Sequence, residues 1–218
     1  MESKELAMTQ KKNTHEKNII TARKPVTDAE KVLLMIHGRG GSAEDILSLA
    51  GHLRLNDFAL LAPQATNQTW YPFSFMAPTA QNEPWLSSAL SILKELLDDL
   101  IAQGVKTENI YLFGFSQGAC LTLEFVARHA KRFGGVIAFT GGLIGDKINN
   151  ENYQGDFAGT PVFIGSSNPD PHVPVERVKE STKILRSMNA EVTEKIYEGM
   201  GHTINQDEID TVNRIIFG

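Results

Sequence analysis

Lys31 to His37 reads KVLLMIH, an unbroken apolar run that stops at the glycines of Gly38-Arg39-Gly40-Gly41. A strand with one wet face alternates apolar and polar residues; a strand covered on both faces does not. FALLA at 58–62, the run beginning at Ile110, GVIAFT at 135–140 and PVFIG at 161–165 carry the same signature. Between them lie segments with helical spacing. Ser42 is placed as the N-cap of a helix to about Leu53, with Glu44 and Asp45 at its positive end. Leu86, Leu90, Leu93, Leu97 and Leu100 fall on one stripe of a helix over Trp85–Gln103. Further helices are expected to about Ala130, over Val175–Met188 and over Ile204–Phe217, with strands at Glu191–Tyr197 and, at the edge, Asn18–Ala22. Strands alternating with helices imply a single α/β domain around a doubly wound, mostly parallel sheet. Ligands of such sheets sit beyond the carboxyl ends of the strands.

The run at Ile110 meets Gly114-Phe115-Ser116-Gln117-Gly118, and a helical pattern starts at once. G-x-S-x-G between a strand and a helix is the context of a nucleophile elbow. Cβ atoms at Gly114 and Gly118 would crowd so sharp a turn. The alternative is a plain glycine-rich connection; the flanking strand and helix favour the nucleophile.

A serine hydroxyl needs a base, and the base an orienting group. On such a sheet their chain order is Ser, then Asp or Glu, then His. Asp170 follows the strand ending at Gly165, in a proline-braced turn; His202 follows the strand ending at Tyr197, beside Gly199 and Gly201. The expected catalytic set is therefore Ser116, Asp170 and His202. His172, two residues from Asp170, is a weaker rival base. His129 suits a helix C-terminus, His15 lies in the tail and His52 ends a helix, none of them a functional signal. Asp207 follows His202 and breaks the order. Donors for a carbonyl oxygen gaining charge are expected from the backbone N–H of Gln117 and of Arg39, with His37 supporting the turn. HGRGG matches neither the P-loop nor the dinucleotide fingerprint.

Residues 64–84 form a long connection with no clear period, and loops of this length in a compact domain are usually functional. Trp70, Tyr71, Phe73, Phe75 and Trp85 cluster there. They either line a substrate pocket, with polar groups from Gln81, Asn82 and Glu83, or pack the loop onto the domain. His37, Trp70, Tyr71, Phe73, Phe75 and Glu83 are taken as the substrate-contacting candidates.

The net charge of −5 gives no electrostatic case for nucleic acid or an anionic membrane. One cysteine, Cys120, excludes an internal disulfide and a Cys-rich metal site; it fits a buried small residue and a reducing, cytoplasmic setting. Residues 1–17 are polar, without the apolar core of a signal peptide, and are expected as a tail before a domain of 18–218. No run approaches transmembrane length, so no stable membrane association is expected.

LLMIHGRGG at 33–41, FGFSQGA at 113–119, DPHVP at 170–174 and YEGMGH at 197–202 together resemble the phospholipase/carboxylesterase family of α/β-hydrolases, relatives of the acyl-protein thioesterases. With WYPFSF…QNEPWLSSAL at 70–90, the chain looks most similar to a bacterial esterase-like subgroup. The resemblance implies the α/β-hydrolase fold, a small-molecule ester substrate, a Ser116-Asp170-His202 hydrolase without metal or cofactor, and leaves a homodimer open. Hydrolysis of small or medium acyl esters is the expected reaction. Thioesterase or lysophospholipase activity, or small-molecule binding without turnover, are the alternatives. The thioesterase branch usually reads LHGLGD, whereas Arg39 and Gly41 stand here, and Ser166-Ser167-Asn168 replaces a more usual His-Gly start. Arg39 beside the oxyanion turn would favour a substrate with an acidic or electron-rich group.

Overall fold

The apolar runs become the interior strands of one seven-stranded sheet in a computed structural model that describes residues 14–218. Its strands are β1 (Ile19–Arg23), β2 (Lys31–Ile36), β3 (Phe58–Pro63), β4 (Ile110–Phe115), β5 (Gly135–Phe139), β6 (Pro161–Asn168) and β7 (Glu191–Glu198). They lie in the order β1-β3-β2-β4-β5-β6-β7. Only β1 runs antiparallel, pairing with β3 from Ile19↔Pro63 to Arg23↔Ala59. The mostly parallel α/β sheet expected from the sequence is what forms.

The helices are α1 (Ala43–Ser48), α2 (Trp85–Ala102), α3 (Gln117–Arg128), α4 (Val175–Ser187) and α5 (Gln206–Ile215). Strand side chains alternate between two apolar layers. Val32, Leu34 and Ile36 face α2, α3 and α4, whereas Leu33 and Met35 face α1 and α5. Covering on both faces is why β2 through β5 carry no polar alternation.

Ser42 and Asp45 form a capping box at α1, with Ser42 N donating to Asp45 Oδ2 at 2.8 Å and Asp45 N to Ser42 Oγ at 3.1 Å. The expected helix to Leu53 is shorter as an α-helix: it tightens into a 3₁₀ segment over Leu49–His52. Strand β6 is longer than expected. It continues past Gly165 because Ser166, Ser167 and Asn168 still pair with Ile196, Tyr197 and Glu198 of β7.

Residues 1–13 of the expected tail lie outside the described residues. His15, assigned to that tail, is buried: its Nε2 donates to Trp70 O at 2.9 Å and its Nδ1 accepts from Thr66 N at 3.2 Å. Its ring also sits edge-on to Trp85.

From β2 the chain turns outward to β3, then crosses back over β2 to β4 and continues to β7. The connections after β2 and β4 therefore diverge, and a crevice opens above their carboxyl ends.

Candidate active site

Strand β4 delivers Ser116 into that crevice with φ 55° and ψ −119°. A non-glycine residue there holds roughly 1–3 kcal/mol of backbone strain, which persists only if its surroundings fix it. Ser116 N donates to Phe139 O of β5 at 2.9 Å, and Cys120 N closes the first turn of α3 onto Ser116 O at 3.0 Å. The elbow nests backbone on backbone. A Cβ on Gly118 would collide with the carbonyl of Ile36 in β2, and a Cβ on Gly114 with the carbonyl of Gly118.

Loops after β6 and β7 bring the other two candidates to the serine. His202 Nε2 lies 2.7 Å from Ser116 Oγ, and His202 Nδ1 lies 2.9 Å from Asp170 Oδ2. The other carboxylate oxygen of Asp170 accepts the backbone N–H groups of His172 and Val173, each at 2.8 Å. Burial alone would raise the Asp170 carboxyl, but the hydrogen bonds from His172, His202 and Val173 outweigh it and hold the group below its ordinary value. An ionised Asp170 fixes the imidazole with Nδ1–H donating and leaves the Nε2 lone pair facing the hydroxyl of Ser116.

Ser167 joins the two loops: it accepts from Gly201 N at 2.9 Å and lies 3.2 Å from Pro169 O. Nothing in its local sequence marks that role; it follows from the extension of β6. His172 is exposed, with its ring centroid 4.9 Å from that of His202, and makes no bond to Ser116. Asp207 is occupied by Lys195 and Tyr197.

Among the described residues, the backbone N–H groups of Arg39 and Gln117 have no intramolecular acceptor. The neighbouring Gly40 N is engaged by Gln68 O and Gly41 N by Gly38 O. Arg39 and Gln117, the two expected oxyanion donors, both line the crevice with Ser116.

Side chains of the same two residues do something the sequence did not announce: they clamp the aromatic loop. The Arg39 guanidinium donates to Thr69 Oγ1 (3.0 Å), Tyr71 O (2.9 Å), Pro72 O (2.9 Å) and Phe73 O (2.7 Å). Gln117 accepts from Trp70 N at 2.9 Å and donates to Tyr71 O at 2.8 Å. Buried Asn82 accepts from Phe73 N at 2.9 Å and donates to Ser74 O at 3.0 Å. The expectation that Arg39 selects an acidic substrate is corrected accordingly, because its hydrogen-bonding face is turned onto loop carbonyls.

Three substrate-contact candidates do not reach the crevice. His37 is buried under the loop, its Nδ1 donating to Gly38 O at 2.7 Å and its Nε2 accepting from Ala65 N at 3.1 Å. Trp70 is fully buried beside it and donates from Nε1 to His37 O at 2.9 Å. Glu83 accepts from Ser87 N and Ser87 Oγ at the start of α2. Gln81 and Glu83 are absent from the crevice lining, and Asn82 serves the loop.

The family model for phospholipase/carboxylesterase matches residues 15–216. The chain belongs to that family. A phospholipase/carboxylesterase of known structure from Dyadobacter fermentans is 56% identical, with a TM-score of 0.93 over 94% of this chain and 98% of that one. Acyl-protein thioesterase 1 of Kluyveromyces lactis is 27% identical over 88% of this chain and 93% of its own. A probable carboxylesterase SOBER1-like of Arabidopsis thaliana is 27% identical over 83% of this chain and 76% of its own.

The crevice is a cavity of about 650 Å³ with Ser116 and His202 in its wall. Tyr71, Phe73 and Phe75 line it from the aromatic loop, and Val173 and Phe115 from the opposite side. Phe73 stands half in solvent at the rim, whereas Tyr71 and Phe75 are buried. Cys120, one helical turn beyond the serine, contributes to the lining; burial pushes its thiol up to about 12. Among the described residues no group of three or more His, Cys, Asp or Glu is arranged to hold a metal, and no helix is long and apolar enough to cross a membrane.

Proposed function

We propose that this chain is a serine hydrolase that cleaves carboxylic esters of small or medium acyl groups through an acyl-enzyme on Ser116. The observation that carries the reading is the continuous hydrogen-bonded line from Asp170 through His202 to a strained Ser116, beside two free backbone N–H groups.

In the first half-reaction Ser116 Oγ attacks the ester carbonyl and its proton passes to His202 Nε2. Asp170 stabilises the imidazolium without taking the proton. The N–H groups of Arg39 and Gln117 receive the oxyanion, where charge develops only in the transition state. His202 then protonates the departing alcohol. In the second half a water loses its proton to His202 and attacks the acyl carbon, and the collapsing intermediate returns Ser116 with its hydrogen. A cavity of about 650 Å³ that combines aromatic side chains with polar groups such as Ser74 and His172 suits a small-molecule ester. The single buried Cys120 agrees with a cytoplasmic setting.

Hydrolysis of a short p-nitrophenyl ester tests the reading. Ser116→Ala is expected to lower turnover by roughly four to six orders of magnitude; near-wild-type hydrolysis by that variant would overturn it.

A further inference from the structure

Asp170 and His202 ride on different loops, and both loops must arrive in place for the 2.9 Å contact between them to form. Strands β6 and β7 stay paired to their last residues, Asn168 opposite Glu198, and Gly199 N donates to Asn168 O at 3.0 Å. Beyond that point the ladder ends. Gly199 and Gly201 are both left-handed, with φ of 66° and 78°, so the histidine loop turns sharply on the residues with the most backbone freedom to lose. Gly201 N then donates to Ser167 Oγ at 2.9 Å. Among the described residues, no other backbone group from Met200 to Ile204 bonds outside the loop.

The same hydroxyl faces the acid loop. Its oxygen lies 3.2 Å from Pro169 O and 3.3 Å from Tyr197 O, and its single hydrogen serves that pair of carbonyls. Pro169 immediately precedes Asp170, and Gly201 immediately precedes His202. One oxygen atom therefore holds the chain a residue ahead of each partner of Ser116. Ser167 is fully buried, so water does not compete for these bonds. It does not line the cavity, so it acts on the reaction only through the two loops. Alanine at this position would keep the pairing of β6 with β7, which is made by backbone, but would leave Gly201 N without its acceptor and Pro169 O without its donor.

Building on the proposed esterase reaction, we infer that Ser167 is a positioning residue that sets the histidine loop against the acid loop and so holds His202 in line between Asp170 and Ser116. No covalent step is added. Ser167 touches neither substrate nor reacting atoms; it fixes where the imidazole stands when the Ser116 proton moves. Catalysis by positioned groups is steep in distance, with about 1 Å of misplacement costing on the order of a hundredfold.

The test compares wild type, Ser167→Ala and Ser167→Cys on p-nitrophenyl butanoate, with a thermal melt of each. Ser167→Ala is expected to lose about ten- to hundredfold in kcat with KM unchanged, and fluorophosphonate labelling of Ser116 should slow by a similar factor. Ser167→Cys should recover part of the loss, because a thiol is a weak donor and acceptor. Where Ser167→Ala does not fold, Ser167→Cys carries the comparison with a smaller loss. A lower melting temperature with kcat and labelling intact in the folded variant overturns the inference, as does a change confined to KM. Proton NMR reads the Asp170–His202 contact directly: the low-field Nδ1–H resonance, assigned by its absence from His202→Ala, should broaden through faster exchange with water in Ser167→Ala. A resonance as sharp in the variant as in the wild type overturns the inference. A wild type that turns over no ester sinks the esterase reading alone; a broadened resonance and slowed labelling in Ser167→Ala still support Ser167.

Discussion

Replacing Arg39 by alanine removes four hydrogen bonds that fix residues 69–73 over the cavity, while leaving the Arg39 backbone N–H in place. A buried charged donor would contribute roughly 1.5–3 kcal/mol per bond. Arg39 is exposed, so each bond is discounted to about 0.5–1 kcal/mol, giving about 2–4 kcal/mol for holding the loop. Tyr71 and Phe75 of the cavity wall ride on this loop, so we expect kcat/KM for p-nitrophenyl butanoate to fall about thirtyfold or more. Arg39→Lys should recover only part of it, since an ammonium cannot fork across several carbonyls. Hydrogen exchange at residues 69–73 should quicken in parallel, while the ratio of rates on anionic and neutral esters stays as in the wild type. Unchanged kcat/KM together with unchanged exchange in Arg39→Ala would refute the clamp; a shift in the anionic-to-neutral ratio alone would restore a substrate-selecting role.

Asp170→Asn should keep the fold and lower turnover by about 10⁴-fold, because the imidazole then loses its fixed tautomer; a thermal melt beside the kinetics checks both halves. Gly118→Ala drives a methyl into the Ile36 carbonyl and should cost about 3 kcal/mol or more, seen as a melting temperature lower by about 10 °C or as insoluble protein. His15 and His37 are held neutral, each lowered chiefly by burial, and accept the consecutive N–H groups of Thr66 and Ala65. Their folded values lie below the unfolded value of about 6.5, so the unfolded chain binds more protons. The stability they contribute is full above about pH 6.5 and is lost as pH falls through their folded values. Urea midpoints measured across that window should fall with pH, and less steeply in His15→Asn.

The sheet and the Ser116-His202-Asp170 line were legible because both rest on local signals. Buried strands announce themselves as continuous apolar runs, and the elbow by glycines whose Cβ atoms have no room. Chain order then carried Asp170 and His202 to the same sheet edge. The aromatic loop was harder. Arg39 stood out as a departure from LHGLGD, but its partners lie about thirty residues away, and all but Thr69 Oγ1 are backbone carbonyls, which carry no side-chain signature. Within G-x-S-x-G the sequence marks Gln117 only for its backbone N–H, yet its side-chain amide holds Trp70 and Tyr71. Trp70 and His37 read as substrate residues in the sequence because aromatic composition does not distinguish a ring under a loop from one lining a cavity. The polarity of residues 1–17 likewise hid that His15 packs between Trp70 and Trp85.

Activation of Ser116 is the claim on which the rest depends, and a fluorophosphonate probe followed by intact-mass analysis measures it most directly. We predict stoichiometric labelling of Ser116 in the wild type, labelling slowed by orders of magnitude in His202→Ala, and none in Ser116→Ala. A wild-type protein that stays unlabelled, or one labelled at the same rate without His202, would contradict the account.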